Sequence, residues 1–414
     1  MTNANTNVRK SSGIGLLLLV NLLAITCISS PGTGDVSIWE TWMSKIDNDG
    51  LVNAFAHTIG TDYPPLAIVI LWAVVRVAQT FGTTQFLILK CSLLLFLLIT
   101  SGGFYWFSRN FVLTAAFELS LILSSVALSY LDIYFAPFLI AALFLIRHGR
   151  FSLGFLFYAV SCFIKWQPLI IAPFVCVYIF AAAGDAAADA AKMKRRLAPF
   201  ALSAVALVLP IFAIFGVPAV FESFKRAATF HKFLSGYALN LGWIETWALH
   251  LLAPEKYGPL QNGAVDAVIV GDPFIVWPNK ILFYLSYAAI LFAFARQPQT
   301  FGRLIVYSML GYLAYFSFNT GVHENHLFLI CCFAWVLVFV EPAQFARCLN
   351  LSLAANANLF LFFGAFGQRL NPVFAGFDIT LVFAVANLCL FAGFLLRTFR
   401  TDGVNLRFWK SQRG

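Results

Sequence analysis

The stretch GTDYPPLAIVILWAVVR, residues 60–76, decides the fold. Its apolar run from Leu66 to Val75 stops at Arg76, well short of the roughly 20 apolar residues that a helix needs to cross a bilayer. If the run crosses, the basic stretches RHGR (147–150) and KMKRR (192–196) fall on the outer side of the membrane, against the excess of Lys and Arg that cytoplasmic loops carry. If it lies along the interface as an amphipathic helix, both stretches fall inside. The charge pattern therefore predicts a non-spanning helix over 64–82.

Outside this stretch the chain is dominated by apolar runs. Its 414 residues are 61% hydrophobic, 17% aromatic and only 11% charged, with a mean hydropathy of +0.83. A soluble domain carries about 25% charged residues, so too few are present here to cover a water-exposed surface. Short alternating segments of the β-barrel kind are absent, and the expectation is an all-α polytopic membrane protein. Arg9 and Lys10 precede GIGLLLLVNLLAITCISS, which has the outline of a signal peptide but is read as an uncleaved first span at about 13–30. Further spans are expected at about 84–106, 111–129, 133–147, 150–164, 166–183, 197–216, 280–296, 302–318, 326–340, 351–366 and 379–397. That gives about 12 transmembrane helices with both termini in the cytoplasm.

This topology implies a single integral-membrane domain over 1–414. Residues 31–83 form a first outer loop with interfacial helices, 217–279 a second outer loop, and 184–196 a low-complexity cytoplasmic linker. The net charge of +9 is concentrated in short connections, which suits positive-inside topology and does not point to nucleic acid. Six of the eight cysteines (Cys27, Cys91, Cys162, Cys176, Cys331, Cys332) sit inside apolar runs without metal or disulfide spacing. DNDG (47–50) lacks the downstream glutamate of a calcium loop and reads as a turn. No metal and no cofactor are expected.

Several polar residues then gather on the outer side. Asp35, in GTGDVSIWETWMS (32–44), leaves the first span beside Trp39 and Trp42, residues that sit naturally at headgroup depth. A partly desolvated carboxylate there could take a proton as a general base. Asp62 and Tyr63 precede a rigid Pro64–Pro65 pair, where Asp62 could equally cap a helix. Asp132 in YLDIYFAPF, and Lys165 with Gln167 in FIKWQPL (163–169), are polar groups inside apolar stretches, costly to place there unless they work. A lysine at a span end can also snorkel. Lys225, Arg226, His231 and Lys232 in FESFKRAATFHKF (221–233) break the positive-inside rule and would suit an anionic lipid phosphate. GVHENH (321–326) brings His323 and Glu324 to a span boundary, as the polar lining of the same cavity; its H-x-x-H spacing is not the H-E-x-x-H of zinc proteases.

Taken in order, Gly34-Asp35, DYPPL, LDIYF, FIKWQPL and VHEN resemble a GT-C type polytopic glycosyltransferase. More narrowly the chain is similar to the dolichyl-phosphate-glucose-dependent glucosyltransferases of asparagine-linked glycosylation and their bacterial relatives. The resemblance covers about residues 30–330, and DYPPL is its most specific motif. It implies a GT-C-like fold with Asp35 as catalytic base, Asp62 as the acid of the D-Y-P-P motif, and His323 and Glu324 as part of a V-H-E-K motif. Asn325 stands where that family has lysine, and LDIYF lacks the histidines and the Gln-Tyr-Asn of the family's D-H-x-H-F-Q-Y-N. SFKRAATFHKF and ALNLGW (238–243) match the family only loosely. The implied reaction is transfer of a hexose from a polyprenyl-phosphate sugar to an acceptor hydroxyl, with inversion. The acceptor would be a glycan or a lipid-linked molecule.

The residues agree with a lipid-borne donor, since no Gly-rich phosphate loop or cytoplasmic domain is present to hold a sugar nucleotide. Membrane lipids are expected partners and nucleic acid is not. The compact loops suggest a bacterial inner membrane, with the site facing the periplasm. The rival reading is a polytopic transporter or flippase for a lipid-linked or anionic substrate, which would place charges at mid-span and break helices in symmetric halves.

Overall fold

The computed structural model describes residues 2–182, 201, 205–229 and 232–404. The expected cytoplasmic linker at 184–196 and the candidate His231 lie outside the described residues. The described chain is mostly helical, with almost no sheet.

Counting helices of ten residues or more, α1 (Thr2–Thr26) is followed by α2 (Asp35–Asp49) and α3 (Pro65–Phe81). Then follow α4 (Gln85–Ser108), α5 (Phe111–Ile122), α6 (Ala136–Arg147), α7 (Phe151–Ile164) and α8 (Ala172–Ala182). Next come α9 (Val205–Phe215), α10 (Val217–Thr229), α11 (Leu241–Leu252) and α12 (Pro273–Ala295). The last four are α13 (Phe301–Phe318), α14 (Phe328–Val340), α15 (Phe345–Phe363) and α16 (Thr380–Thr401).

Every stretch expected to cross a membrane thus carries a helix over its described residues. Length and apolarity are sufficient for crossing in four of them among the described residues: Ser11–Ser29, Gln85–Ser108, Pro273–Ala295 and Thr380–Thr401. A fifth is counted if α9 and α10, bent by 100°, form one span. Gly216, at the bend, adopts φ +79, which glycine alone enters at little cost. These long helices leave large apolar side chains uncovered, with Leu18 and Leu285 64% and 66% exposed. Exposed apolar surface of this kind is compatible with a membrane environment.

The helix over the decisive stretch forms where its sequence starts and stops it. Pro64 is extended, Pro65 opens α3 and Gly82 closes it in the left-handed conformation with φ 61, the usual proline-in, glycine-out asymmetry. Its 17 residues extend about 25 Å at 1.5 Å per residue. One face buries Ala67, Ile68, Leu71, Val74, Val75 and Ala78, at the spacing of an amphipathic helix. The other face carries Arg76, which donates to Gln79, and Gln79, which donates to Asp47 of α2.

Chain contacts divide the protein into two compact units. One comprises Met1–Leu169, Ala183–Lys232 and Glu324–Pro372; the other comprises Ile170–Ala182, Phe233–His323 and Val373–Gly414. In the first unit α14 is buried from Phe328 to Val338, as a helix apolar on all sides must be. It packs on α5 and α15. Around it α4 lies against α5 and α6, α6 against α7, and α3 against α2, α4 and α7. In the second unit α13 is buried over almost its whole length and packs against α8, α11, α12 and α16. That unit also holds two minimal sheets: Ser235–Gly236 runs parallel to Val322–His323, and Val373–Phe374 pairs antiparallel with Phe377–Asp378.

Candidate active site

Asp35 is the first residue of α2, with Gly34 before it. A carboxylate there meets the positive end of the helix dipole. The chain leading to it is tied down: Thr33 N donates to Leu128 O at 3.1 Å, and Trp39 Nε1 donates to Ser129 O at 3.1 Å. Trp39 and Trp42, three residues apart on one face of α2, are both buried. Their ring centroids are 4.9 Å apart, and each meets Tyr63 edge-to-face at 5.4 Å. This geometry suits aromatic quadrupoles and seats the D-Y-P-P loop on α2.

Tyr63 is held by its own turn, where its N–H donates to Thr61 Oγ1 at 2.7 Å. Lys165, at the end of α7, donates to Tyr63 Oη at 2.8 Å and to Asp132 Oδ2 at 2.9 Å. The same Asp132 oxygen accepts from Asn325 Nδ2 at 2.8 Å. Asp132 lies in a buried 3-10 turn, Leu131–Tyr134, and is fully enclosed. Next to it Tyr130 Oη donates to Glu324 Oε1 at 2.5 Å, and Asn358 Nδ2 donates to Glu324 O at 3.3 Å.

Four acids act on Tyr63. Burial pushes its phenol well up, and the charges of Asp132, Asp62, Asp35 and Glu324 push it further. Tyr130 is raised by burial and then by Glu324 and Asp35. Burial also raises Asp132, opposed by Lys165 and by the bonds from Lys165 and Asn325. Residues spread from position 35 to position 324 thus come within electrostatic reach of one tyrosine. That neighbourhood contains more carboxylates than cations. Among the described residues no group of three or more His, Cys, Asp and Glu is placed to hold a metal ion.

The remaining candidates are distributed differently. Gln167 is buried at the start of a 3-10 turn, Gln167–Ile171. Lys225 and Arg226 are solvent-accessible on α10 and pair with Glu222 at 3.6 and 3.4 Å. Arg226 Nη1 also donates to Gly60 O at 3.0 Å, and Phe224 meets the Trp166 ring at 5.3 Å. α10 therefore touches both segments that carry the Tyr63–Lys165 pair. Lys232 is exposed. The VHEN motif is divided: His323 belongs to the second unit, opposite Gly236 in the parallel pair and edge-on to Phe233 at 5.2 Å. Glu324 and Asn325 open a segment of the first unit.

Lys165 lies in an internal ion pair and does not stand as an open cation. Tyr130, Asn325 and Lys90 enter the structure around the site without having been singled out as site residues from sequence. Lys90 carried a usable signal, an isolated charge inside the apolar run of α4. Tyr130 carried none, since a tyrosine at a span end is ordinary. No protein-family model matches the chain, and no curated protein matches it.

Proposed function

We propose that the chain is a GT-C type membrane glycosyltransferase that moves a hexose from a polyprenyl-phosphate sugar to an acceptor hydroxyl, on the outer face and with inversion. The supporting observation is the convergence of Asp35, Asp62, Asp132 and Glu324 on Tyr63, which Lys165 bonds directly. Five motifs far apart in the chain supply that one neighbourhood. The proposal includes about twelve spans, both termini in the cytoplasm, and α3 lying along the membrane surface, in a bacterial inner membrane.

In this reading the acceptor oxygen attacks the anomeric carbon and gives its proton to the Asp35 carboxylate. The bond from the anomeric carbon to the phosphate oxygen breaks, and the polyprenyl phosphate leaves with that electron pair. A positioned base of this kind contributes about 10²–10⁴-fold. Lys165, paired with Asp132, orders the site and sets Tyr63. The growing phosphate charge is met by Arg226 and Lys225 of α10 and by Lys232, preorganised cations of the type that carry much of catalysis. Asp62 sits beside Tyr63 at the mouth of the D-Y-P-P loop and contacts the sugar. Gln167 lines the floor next to Lys165.

Transport of a lipid-linked or anionic substrate is favoured by one feature, the 100° break between α9 and α10, since broken helices build transporter sites. Purified protein in vesicles, given labelled polyprenyl-phosphate hexose and a glycolipid acceptor, separates the two. The glycosyltransferase reading expects labelled acceptor from the wild type, and unconsumed donor with folded Asp35→Asn. Equal transfer by that variant refutes Asp35 as base. Label that changes leaflets with its sugar–phosphate bond intact refutes the enzyme and supports the transporter.

A further inference from the structure

Lys90 lies inside α4, one of the helices long and apolar enough to cross a membrane, and has no exposed surface. An ammonium in such a place is costly unless its donors are matched. Its Nζ donates to Val126 O and, at 3.1 Å, to Ser129 Oγ. Both acceptors belong to the end of the helical run that begins with α5. There the chain passes from α- to π-helical over Leu123–Ala127 and stops at Ser129, a non-glycine residue with φ 66. Such π-turns interrupt the regular bonding of a helix and collect at functional sites.

The carbonyls that follow Val126 all serve one segment. Ala127 O accepts from Ser30 Oγ at 2.8 Å. Leu128 O accepts from Thr33 N at 3.1 Å and from Thr33 Oγ1 at 3.4 Å. Ser129 O accepts from Trp39 Nε1 at 3.1 Å. Ser30, Thr33 and Trp39 flank Asp35 on both sides. The segment and the turn are in direct contact, since a Cβ on Gly32 would lie 2.6 Å from Ser129 Oγ, the same hydroxyl that Lys90 holds.

We infer that Lys90 is a positioning residue for Asp35: its ammonium locks the turn over 123–129, and three successive carbonyls of that turn hold the Asp35 segment in place. Its consequence for activity rests on the reading of Asp35 as catalytic base. Lys90 touches neither Asp35 nor substrate and acts through Ser129, Leu128 and Trp39.

The test uses the full chain in nanodiscs, with hydrogen exchange over residues 28–40 and steady-state sugar transfer. Lys90→Met should raise exchange at 28–40, the Thr33 amide included, while exchange in α13 stays as in the wild type. Its kcat should fall about 10–100-fold, with KM for the donor within about twofold, the signature of a lost transition-state arrangement. Lys90→Gln, which keeps a donor, should recover part of both. Unchanged exchange at 28–40 in folded Lys90→Met overturns the inference. If Lys90→Met does not fold, Ser129→Ala and Trp39→Phe cut the same ladder more gently, and unchanged exchange in both overturns it. Exchange is read without catalysis, so the two failures are distinct. A wild type with no transferase activity whose variants still loosen 28–40 sinks the glycosyltransferase and keeps the clamp. An active wild type whose variants do not loosen sinks the clamp alone.

Discussion

Asp132 Oδ2 accepts from Lys165 Nζ at 2.9 Å and from Asn325 Nδ2 at 2.8 Å, so a single carboxylate oxygen joins three distant segments. Lys165 extends the junction to a fourth through Tyr63 Oη. Only 9% of the Lys165 side chain and none of the Asp132 side chain is exposed, so removing one partner strands the other. Lys165→Met should therefore destabilise the protein by about 3–5 kcal/mol, and pairing it with Asp132→Leu should recover most of that loss. Thermal unfolding of the single and double variants in nanodiscs checks this; equal losses in both would contradict it.

Acidity should act on stability through the same aspartate. Burial raises the Asp132 carboxyl in the folded protein, outweighing the pull of Lys165 and Asn325. Between its unfolded value, about 3.9, and its higher folded value, the folded chain keeps a proton that the unfolded chain has released. Stability from this group is therefore fullest below the unfolded value and declines as pH rises through the folded one. Unfolding midpoints from about pH 3.5 to 7, wild type minus Asp132→Asn, should slope downward with rising pH. An upward slope would mean that the lysine prevails over burial.

Tyr130 and Glu324 are both buried and bonded at 2.5 Å. Tyr130→Phe removes a hydrogen bond to a charged group, a loss of about 1.5–3 kcal/mol, and leaves the ring in place. Unfolding of this variant should show that drop, and a change within error would contradict it.

Gly367 is placed where only glycine fits. Its φ is +81, and an added Cβ would lie 1.8 Å from Gly32 O, three residues before Asp35. Gly367→Ala should cost about 3 kcal/mol or more through overpacking and strain and displace the Asp35 segment. Wild-type stability in this variant would contradict the packing.

Arg226 carries the clearest test of the proposed donor-phosphate contact. Its side chain is 40% exposed and pairs with the half-exposed Glu222 at 3.4 Å, a surface partner that an anion can displace, while it donates to Gly60 O. Arg226→Ala should raise KM for a polyprenyl-phosphate sugar about tenfold, equivalent to about 1.4 kcal/mol. An unchanged KM would move the phosphate elsewhere.

Patterns that are local in the chain were readable without coordinates. Apolar runs bounded by Gly, Pro and charge gave helices over the described residues of each expected stretch, because backbone hydrogen bonding and side-chain periodicity act over a few residues. The double proline and Gly82 delimit α3 by the same local chemistry. In the fold Asp35, Asp62, Asp132 and Glu324 act on Tyr63, and Lys165 donates to it.

Partner choice was not readable, because a side chain's neighbours are set by packing between distant segments. Nothing near position 165 says that Lys165 meets Asp132, and nothing near 90 says that Lys90 meets the turn after α5. The VHEN motif is contiguous in sequence, yet the tertiary structure assigns His323 to one unit and Glu324 to the other. Sequence determined which groups are too polar to lie idle among apolar helices. Only the fold decided which of them neutralise one another, since a buried charge is stabilised by whatever opposite charge or dipole the packing brings within hydrogen-bond distance.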